Sequence, residues 1–299
     1  MTSEQEFHAG FIAVVGRPNV GKSTLVNALV GAKVAIVSRR PQTTRRRILG
    51  VVNRPDCQIV LVDSPGLHGG RGRALNRALN ASARRAAAEA DALLLVTEAG
   101  RWSEDDERAL RVVRETGLPA VLVLNKVDRV RPRSRLLPLI DEATGRHGFA
   151  AVVPVSATRG ENLDRLIPAL SQLLPASPQL FPLDQITDQG AAERAAETVR
   201  EALIERLGDE LPYATYVTIE RWRDADGRRE IDAVIWVARE TQKGIVIGAG
   251  GRMAKGIGTA ARLALEQEYG CKVMLRLWVR VRPRWNEDAR FLGEMGLGQ

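Results

Sequence analysis

Five short stretches of this chain are apolar almost throughout: FIAVV at 11–15, QIVLV at 58–62, DALLLV at 91–96, PAVLVL at 119–124 and AVVPV at 151–155. A strand with one wet face alternates polar and apolar side chains. A run that does not alternate is buried on both faces, the condition of a parallel sheet covered by helices on each side. Amphipathic helical patterns fall between the runs, at 23–30, 73–89 and 105–115. The expected fold class is therefore α/β, a doubly wound, mostly parallel sheet with right-handed crossovers. Ligands of such sheets bind outside the carboxyl ends of the strands, so the residues closing each run are the ones to inspect.

The first run ends in GRPNVGKST, residues 16–24. Gly16, Gly21, Lys22 and Ser23 meet the pattern GxxxxGK(S/T), with Arg17, Pro18, Asn19, Val20 and Thr24 completing the turn and opening the helix. A strand that enters a helix through such a turn aims several unpaired N–H groups at one spot, which binds phosphate. Lys22 is placed to reach the β and γ phosphates and Ser23 to ligate Mg²⁺. The second run ends in DSPG. The Asp63 carboxylate suits Mg²⁺, directly or through water, and the Gly66 N–H can donate to a γ-phosphate, whose loss would release the loop. A plain Asp-Ser-Pro-Gly turn is the alternative for these four residues.

The fourth run ends in NKVD and selects the base. An ionised Asp128 accepts from guanine N1–H and its exocyclic amine, whereas adenine offers neither donor at that edge, which favours GTP over ATP by about 10⁴ or more. Lys126 can lie over the base, and Asn125 can tie this loop to the phosphate loop. The fifth run leads to Ser156 and Ala157, whose backbone N–H groups are expected to meet guanine O6. SRRPQTTRRRILG, residues 38–50, offers a hydroxyl from a mobile loop to complete the Mg²⁺ shell. Spacing admits Thr43 or Thr44, and Thr44 is the expectation. The arginines of that segment read as a solvated basic run.

GRPNVGKST, RRPQTTR, DSPG, NKVD and SAT together resemble the translation-factor-related GTPases. Leu67 stands after Gly66 where many GTPases keep a glutamine that orients water. By resemblance this marks a hydrophobic-substituted group, in which Asn19 helps bind a K⁺ ion that supplies charge at the transition state. The resemblance thus implies Lys22, Thr44 and Asn19 as the residues acting on the reacting phosphate, and a slow intrinsic rate.

Composition shifts at LLPASPQLFPLDQ, residues 173–185, where three prolines interrupt any helix and loosen the chain. The expected division is a GTPase domain over 1–175, a linker over 176–188 and a second domain over 189–299. That domain reads as a helix (191–207), a hairpin (strands 214–223 and 230–239 around DADG), a short segment ending in GIVIGAGG (244–251), a helix (252–268) and a strand (271–282). Gly248, Ala249, Gly250 and Gly251 form a GxxG turn before an amphipathic helix, with Lys243, Arg252 and Lys255 near it. Such glycines let a nucleic-acid backbone approach a helix N-terminus, as KH domains do. On the last strand Arg276, Trp278 and Arg280 alternate with apolar residues, a basic face with one aromatic suited to a single strand. The solvated outer face of an antiparallel sheet is the plainer alternative.

The element order resembles the type II KH domain, and with FPLDQITD, LPYATYV, QKGIVIGAGG and GCKVMLRLWVRVRPRW nearly the whole chain resembles the Era family of bacterial GTPases. The resemblance implies that the second domain binds single-stranded small-subunit rRNA near its 3′ end, that the GTP state gates this binding, and that hydrolysis permits release from the 30S particle. Relatives carry lysines between the GxxG glycines. Here Ala249 and Gly250 stand there, shifting phosphate contacts to Lys243, Arg252 and Lys255.

The net charge of +8 and pI near 10.0 favour a polyanionic partner, nucleic acid first and anionic lipid second. The chain of 299 residues has no run of about 18 apolar residues, and its first ten residues lack a basic n-region. Cys57 and Cys271 lack metal-ligand spacing and read as reduced core residues. The expectation is a cytoplasmic monomer. Two alternatives are an RNA-binding module holding GTP as a structural ligand, and a GTPase recruited peripherally to the inner membrane by its arginines. No basic amphipathic helix with bulky apolar residues supports the latter.

Overall fold

The computed structural model describes residues 6–38, 44, 47–67, 74–208, 211, 215–225 and 227–285. The chain divides into two compact units, the first holding most of the chain up to Asp188 and the second running from Gln189.

The first unit is a six-stranded sheet built from β1 (His8–Val15), β2 (Ile48–Asn53), β3 (Cys57–Asp63), β4 (Ala92–Glu98), β5 (Ala120–Asn125) and β6 (Ala151–Pro154). The strands lie in the order β2-β3-β1-β4-β5-β6, all parallel except β2, which runs antiparallel to β3. Chain order reverses between β3 and β4 on either side of β1, which opens the crevice where such sheets bind ligands. The runs without alternation are buried on both faces, as expected: Ile12, Val14, Leu94, Val96, Val121 and Val123 join one core cluster, and Ala13, Val15, Leu93, Leu95, Leu122 and Leu124 the other. Helices α1 (Lys22–Val30), α2 (Ala74–Ala88), α3 (Glu104–Thr116), α4 (Leu136–Thr144) and α5 (Leu163–Ser171) connect the strands. Leu25, Val26, Leu166 and Leu170 cover the first face, and Ala83, Ala87, Leu110 and Val113 the second.

Three elements of this unit escaped sequence reading. β2 begins within the last three residues of the 38–50 segment, which reads as a mobile loop, because its apolar residues follow directly on the arginine run. α4 and α5 are nine residues each, with a proline inside α5 at Pro168, and so carry a weak period. The proline-rich stretch 176–188 is not loose. The Val51 N–H donates to Ile186 O at 2.9 Å, the Leu49 N–H to Asp188 Oδ1 at 3.0 Å, and Asn53 Nδ2 to Leu183 O at 2.9 Å. Gln58, fully buried on β3, donates to Phe181 O and accepts from the Leu180 and Phe181 N–H groups, each at 2.8 Å. The prolines forbid a helix while leaving an extended segment that satisfies the polar groups of the sheet edge.

The second unit runs α6 (Ala191–Arg206), β7 (Thr215–Ala225), β8 (Arg228–Val237), α7 (Glu240–Ile247), α8 (Arg252–Tyr269) and β9 (Lys272–Val281). β7 and β8 are antiparallel, β8 and β9 parallel. The helices pack on one face of this sheet through Val199, Leu203, Val246, Ile257 and Ala261 against Ala233, Ile235 and Val237. At the far end of the hairpin the Arg229 guanidinium lies against the rings of both Trp222 and Tyr269, at 4.9 and 4.6 Å, and the two rings meet edge to face.

Candidate functional site

The carboxyl ends of β1, β3, β4 and β5 come together in register: Val14 lies beside Asp63, and Glu98 beside Asn125. After β1 the chain turns through residues 16–21 into α1, which Gly21 caps at φ 100°. A Cβ on Gly21 would lie 2.4 Å from Asn125 Nδ2, so the turn can close only with glycine there. Asn125, 2% exposed, is the tie expected from sequence. Its Nδ2 donates to Val20 O at 2.8 Å, and its Oδ1 accepts from the Lys126 N–H at 2.8 Å and the Ala157 N–H at 3.1 Å. One buried amide thereby joins the phosphate loop, the NKVD loop and the SAT loop.

Lys22 is buried, with Nζ donating to the carbonyls of Gly16 and Arg17 at 3.1 Å each. Burial lowers its ammonium to about 8, Asp63 opposing and Arg17 adding to the shift. Ser23 Oγ donates to Asp63 Oδ2 at 2.7 Å and lies 2.9 Å from Thr44 Oγ1, which is itself 3.3 Å from Asp63 Oδ2. Asp63 is fully buried, burial pushes its carboxyl up despite Lys22 nearby, and its Oδ1 has no partner. The three expected metal-facing residues therefore converge from β3, α1 and the intervening segment. Thr43 lies outside the described residues. An all-oxygen set of one carboxylate and two hydroxyls, with a buried carboxylate oxygen still unsatisfied, fits Mg²⁺, which takes few protein ligands and completes its octahedron with water and phosphate. Thr24 stands beside Ser23 in the first turn of α1, where backbone N–H groups face the loop. Gly66 packs against Pro18, and the Leu67 N–H donates to Gly16 O at 3.3 Å. The Leu67 side chain is 5% exposed and packed in the core, away from any role in orienting water.

On the base side, Asp128 accepts from Ser156 Oγ at 2.7 Å, a bond that, ahead of burial's opposing effect, holds its carboxyl below the usual range and keeps it an acceptor. The backbone N–H groups of the SAT loop have partners within the protein. The Ser156 N–H donates to Glu161 O at 3.2 Å and the Ala157 N–H to Asn125, so both are engaged within the protein. The Ser156 hydroxyl is the group that holds Asp128. Lys126 Nζ donates to Asn19 O at 2.6 Å and to Glu98 Oε2 at 2.9 Å. Arg17 turns away from the phosphate position, its Nε donating to Asp106 Oδ2 at 2.9 Å. Glu98 and Asp106 escaped sequence reading. The signal for Glu98 was weaker, a carboxylate one residue removed from the end of the third apolar run, where Asp63 and Asn125 directly follow their own.

In the second unit the GxxG turn lies between α7 and α8. Gly248, Gly250 and Gly251 all have positive φ, and a Cβ on Gly248 would meet Met253 Cβ at 2.7 Å. Ala249, Gly250, Arg252 and Lys255 are exposed, and Lys243 is half-buried with Glu240 3.8 Å away. Ile245, 56% exposed on α7, adds an apolar side chain not singled out from sequence. The rest of the expected nucleic-acid set is not brought to this turn. Leu275, Leu277 and Val279 face the helices, so alternation puts Arg276, Trp278 and Arg280 on the opposite face of β9. There Arg276 faces Asp232 at 3.5 Å, Arg280 pairs with Glu220, and Trp278 is 52% exposed. The basic face is thus partly neutralised by carboxylates from the neighbouring strands, which one strand's sequence does not show.

Comparison with known proteins agrees with this geometry. The family pattern described as "50S ribosome-binding GTPase" matches residues 11–126, and that of the KH domain residues 210–286. GTPase Era of Stenotrophomonas maltophilia is 51% identical over 296 residues, 99% of each chain. GTPase Era of Xanthomonas axonopodis is 52% identical over 288 residues, 96% of each. Among solved structures, Era in complex with MgGDPNP and nucleotides 1506–1542 of 16S ribosomal RNA superposes with a TM-score of 0.94 at 37% identity, covering 98% of this chain and all of that one. A variant of Aquifex aeolicus Era bound to GDP·AlF4⁻ gives 0.93 at the same identity and coverage. A P-loop closed by Asn125 with an Asp63 cluster at its mouth, and a second unit carrying a GxxG turn, matched end to end by these relatives, place the chain in the Era family of GTPases.

Proposed function

We propose that this protein binds and hydrolyses GTP at the β1–α1 loop, and that its GxxG unit binds single-stranded small-subunit rRNA near the 3′ end during 30S assembly. The observation that carries the reading is the pairing of two built sites in one chain: the Ser23–Thr44–Asp63 cluster beside a buried Lys22, and a GxxG turn flanked by Arg252 and Lys255. In the nucleotide site, Lys22 supplies positive charge to the β and γ phosphates from a dry position, where that charge is strengthened. Ser23 and Thr44, with Asp63 bonded to both, would hold Mg²⁺, which would supply charge against the phosphates. Asp128, oriented by Ser156, accepts from the guanine edge, and Lys126 covers the base. Gly66 donates to the γ-phosphate, and the Leu67 bond to Gly16 transmits its loss to the loop that follows. Leu67 cannot position water, so the intrinsic rate is slow. Asn19, at φ 64° with its carbonyl held by Lys126, is the residue offered to K⁺.

On the RNA side, positive φ at three glycines opens the turn to a sugar–phosphate backbone, Arg252 and Lys255 supply charge, and Ile245 an apolar surface for a base. Arg276, Trp278 and Arg280 stand outside that cleft. The protein acts as a cytoplasmic monomer in this reading; peripheral membrane association predicts co-flotation with anionic liposomes. Among the described residues no helix is long and apolar enough to cross a membrane. The test is steady-state GTP hydrolysis with 3′-end rRNA, in K⁺ and in Na⁺ buffer. Multiple turnovers, faster in K⁺, are expected. A single GTP held without turnover would leave a structural ligand instead, and equal rates in the two salts would remove the K⁺ assignment.

A further inference from the structure

Glu98 closes β4 beside Asn125, at the centre of the crevice, yet it belongs to none of the loops that read as a nucleotide site. Its Oε2 accepts from Lys126 Nζ at 2.9 Å and from Arg17 Nη2 at 3.4 Å, and the Arg129 guanidinium lies 3.7 Å from Oε1. The two closer cations come from opposite sides. Lys126 belongs to the base loop and reaches on to Asn19 O, while Arg17 belongs to the phosphate loop and reaches on to Asp106. Asp106 is fixed in turn, fully buried in the first turn of α3, its Oδ2 accepting from the Ser103 N–H at 2.9 Å and Ser103 Oγ at 2.6 Å. Lys126 and Asn19 are non-glycine residues at φ 65° and 64°, a conformation that persists only where the surroundings enforce it. Without its carboxylate the Lys126 side chain, with four rotatable bonds, would keep only the neutral Asn19 carbonyl, and each incoming nucleotide would have to complete its ordering.

We propose that Glu98 is a positioning residue for the guanine nucleotide: it fixes Lys126 over the base and Arg17 behind the phosphate loop, so that the two loops stand in register before the nucleotide arrives. This rests on the GTP-site reading. A plain salt bridge with Lys126, both side chains 20% exposed, would give a small stability term with no bearing on affinity.

The two are separated on the full-length protein by fluorescent-GDP titration, GDP dissociation rate and melting of the nucleotide-free protein. Glu98→Gln keeps the shape and removes the charge. It is expected to weaken GDP about tenfold, through faster dissociation, with the nucleotide-free melting temperature within about 2 °C of wild type. Lys126→Met weakens GDP on its own, and adding Glu98→Gln to it should cost less than about threefold more, because the carboxylate acts through that lysine. Wild-type affinity in Glu98→Gln, losses that multiply in the double variant, or a melting drop that accounts for the whole affinity loss would each overturn the proposal. Failure of the wild-type protein to bind GDP would instead overturn the nucleotide-site reading.

Discussion

Asn125→Ala removes the amide that joins three loops, and its consequence follows from counted bonds. The substitution deletes a donor to Val20 O and an acceptor for two N–H groups, at a residue 2% exposed. Three such bonds at about 1 kcal/mol each give roughly 3 kcal/mol, since the abandoned groups of Val20, Lys126 and Ala157 have little water to turn to. In a unit of this size that lowers the melting temperature of the nucleotide-free protein by roughly 6–12 °C. Affinity suffers as well, because the nucleotide must then order loops that the amide had ordered already. GDP binding is expected to weaken between tenfold and about a hundredfold. Fluorescent-GDP titration beside differential scanning fluorimetry measures both quantities. A Kd within threefold of wild type together with an unchanged melting temperature would refute the idea that Asn125 organises the site.

Asp128→Asn should weaken GDP by on the order of 3 kcal/mol through two lost charge-assisted bonds, and shift preference towards xanthine nucleotides; competition binding with XDP checks it. Lys22 makes GDP affinity pH-dependent. Its ammonium titrates near 8 in the empty site and must be charged to hold phosphate, so affinity should fall about tenfold from pH 7 to pH 9 by isothermal titration. The sign for folding is opposite. With the folded value below the unfolded 10.5, the unfolded chain holds more protons between about 8 and 10.5, so this group adds stability to the nucleotide-free protein as pH rises through that window. Gly248→Ala, which sets a Cβ against Met253 at a φ of 72°, should destabilise the second unit by about 1–3 kcal/mol and reduce RNA binding, read by urea unfolding and gel shift.

Much of the nucleotide site was legible because each functional residue closes an uninterrupted apolar run, and such runs admit only a two-face-buried strand. Asp63 and Asn125 could be placed at strand ends from the sequence, and the side-chain amide of Asn125 bonds to the phosphate loop, as the reading expected. What was not legible depended on who is near whom. Arg17 reads as a phosphate-loop residue, but Asp106, 89 positions on, turns it away. Ser156 and Ala157 read as base-facing N–H donors, but Glu161 and Asn125 engage both. Arg276, Trp278 and Arg280 read as a basic face of β9 suited to a single strand. Strand alternation was read correctly, but which face the helices occupy is decided by packing against Val246 and Ile257, not by β9 itself. The 176–188 segment failed for a related reason: prolines exclude a helix, and nothing local reveals a buried Gln58 waiting for a partner.

The central claim, that one chain couples a GTP site to recognition of small-subunit rRNA, is tested most directly by fluorescence anisotropy with a short single-stranded RNA copying the 3′ end of 16S rRNA, the protein loaded with a non-hydrolysable GTP analogue or with GDP. The account predicts tight binding that a scrambled sequence does not reproduce, stronger in the GTP form and lost in Gly248→Ala. Weak binding, equal for both sequences and both nucleotides, would contradict it.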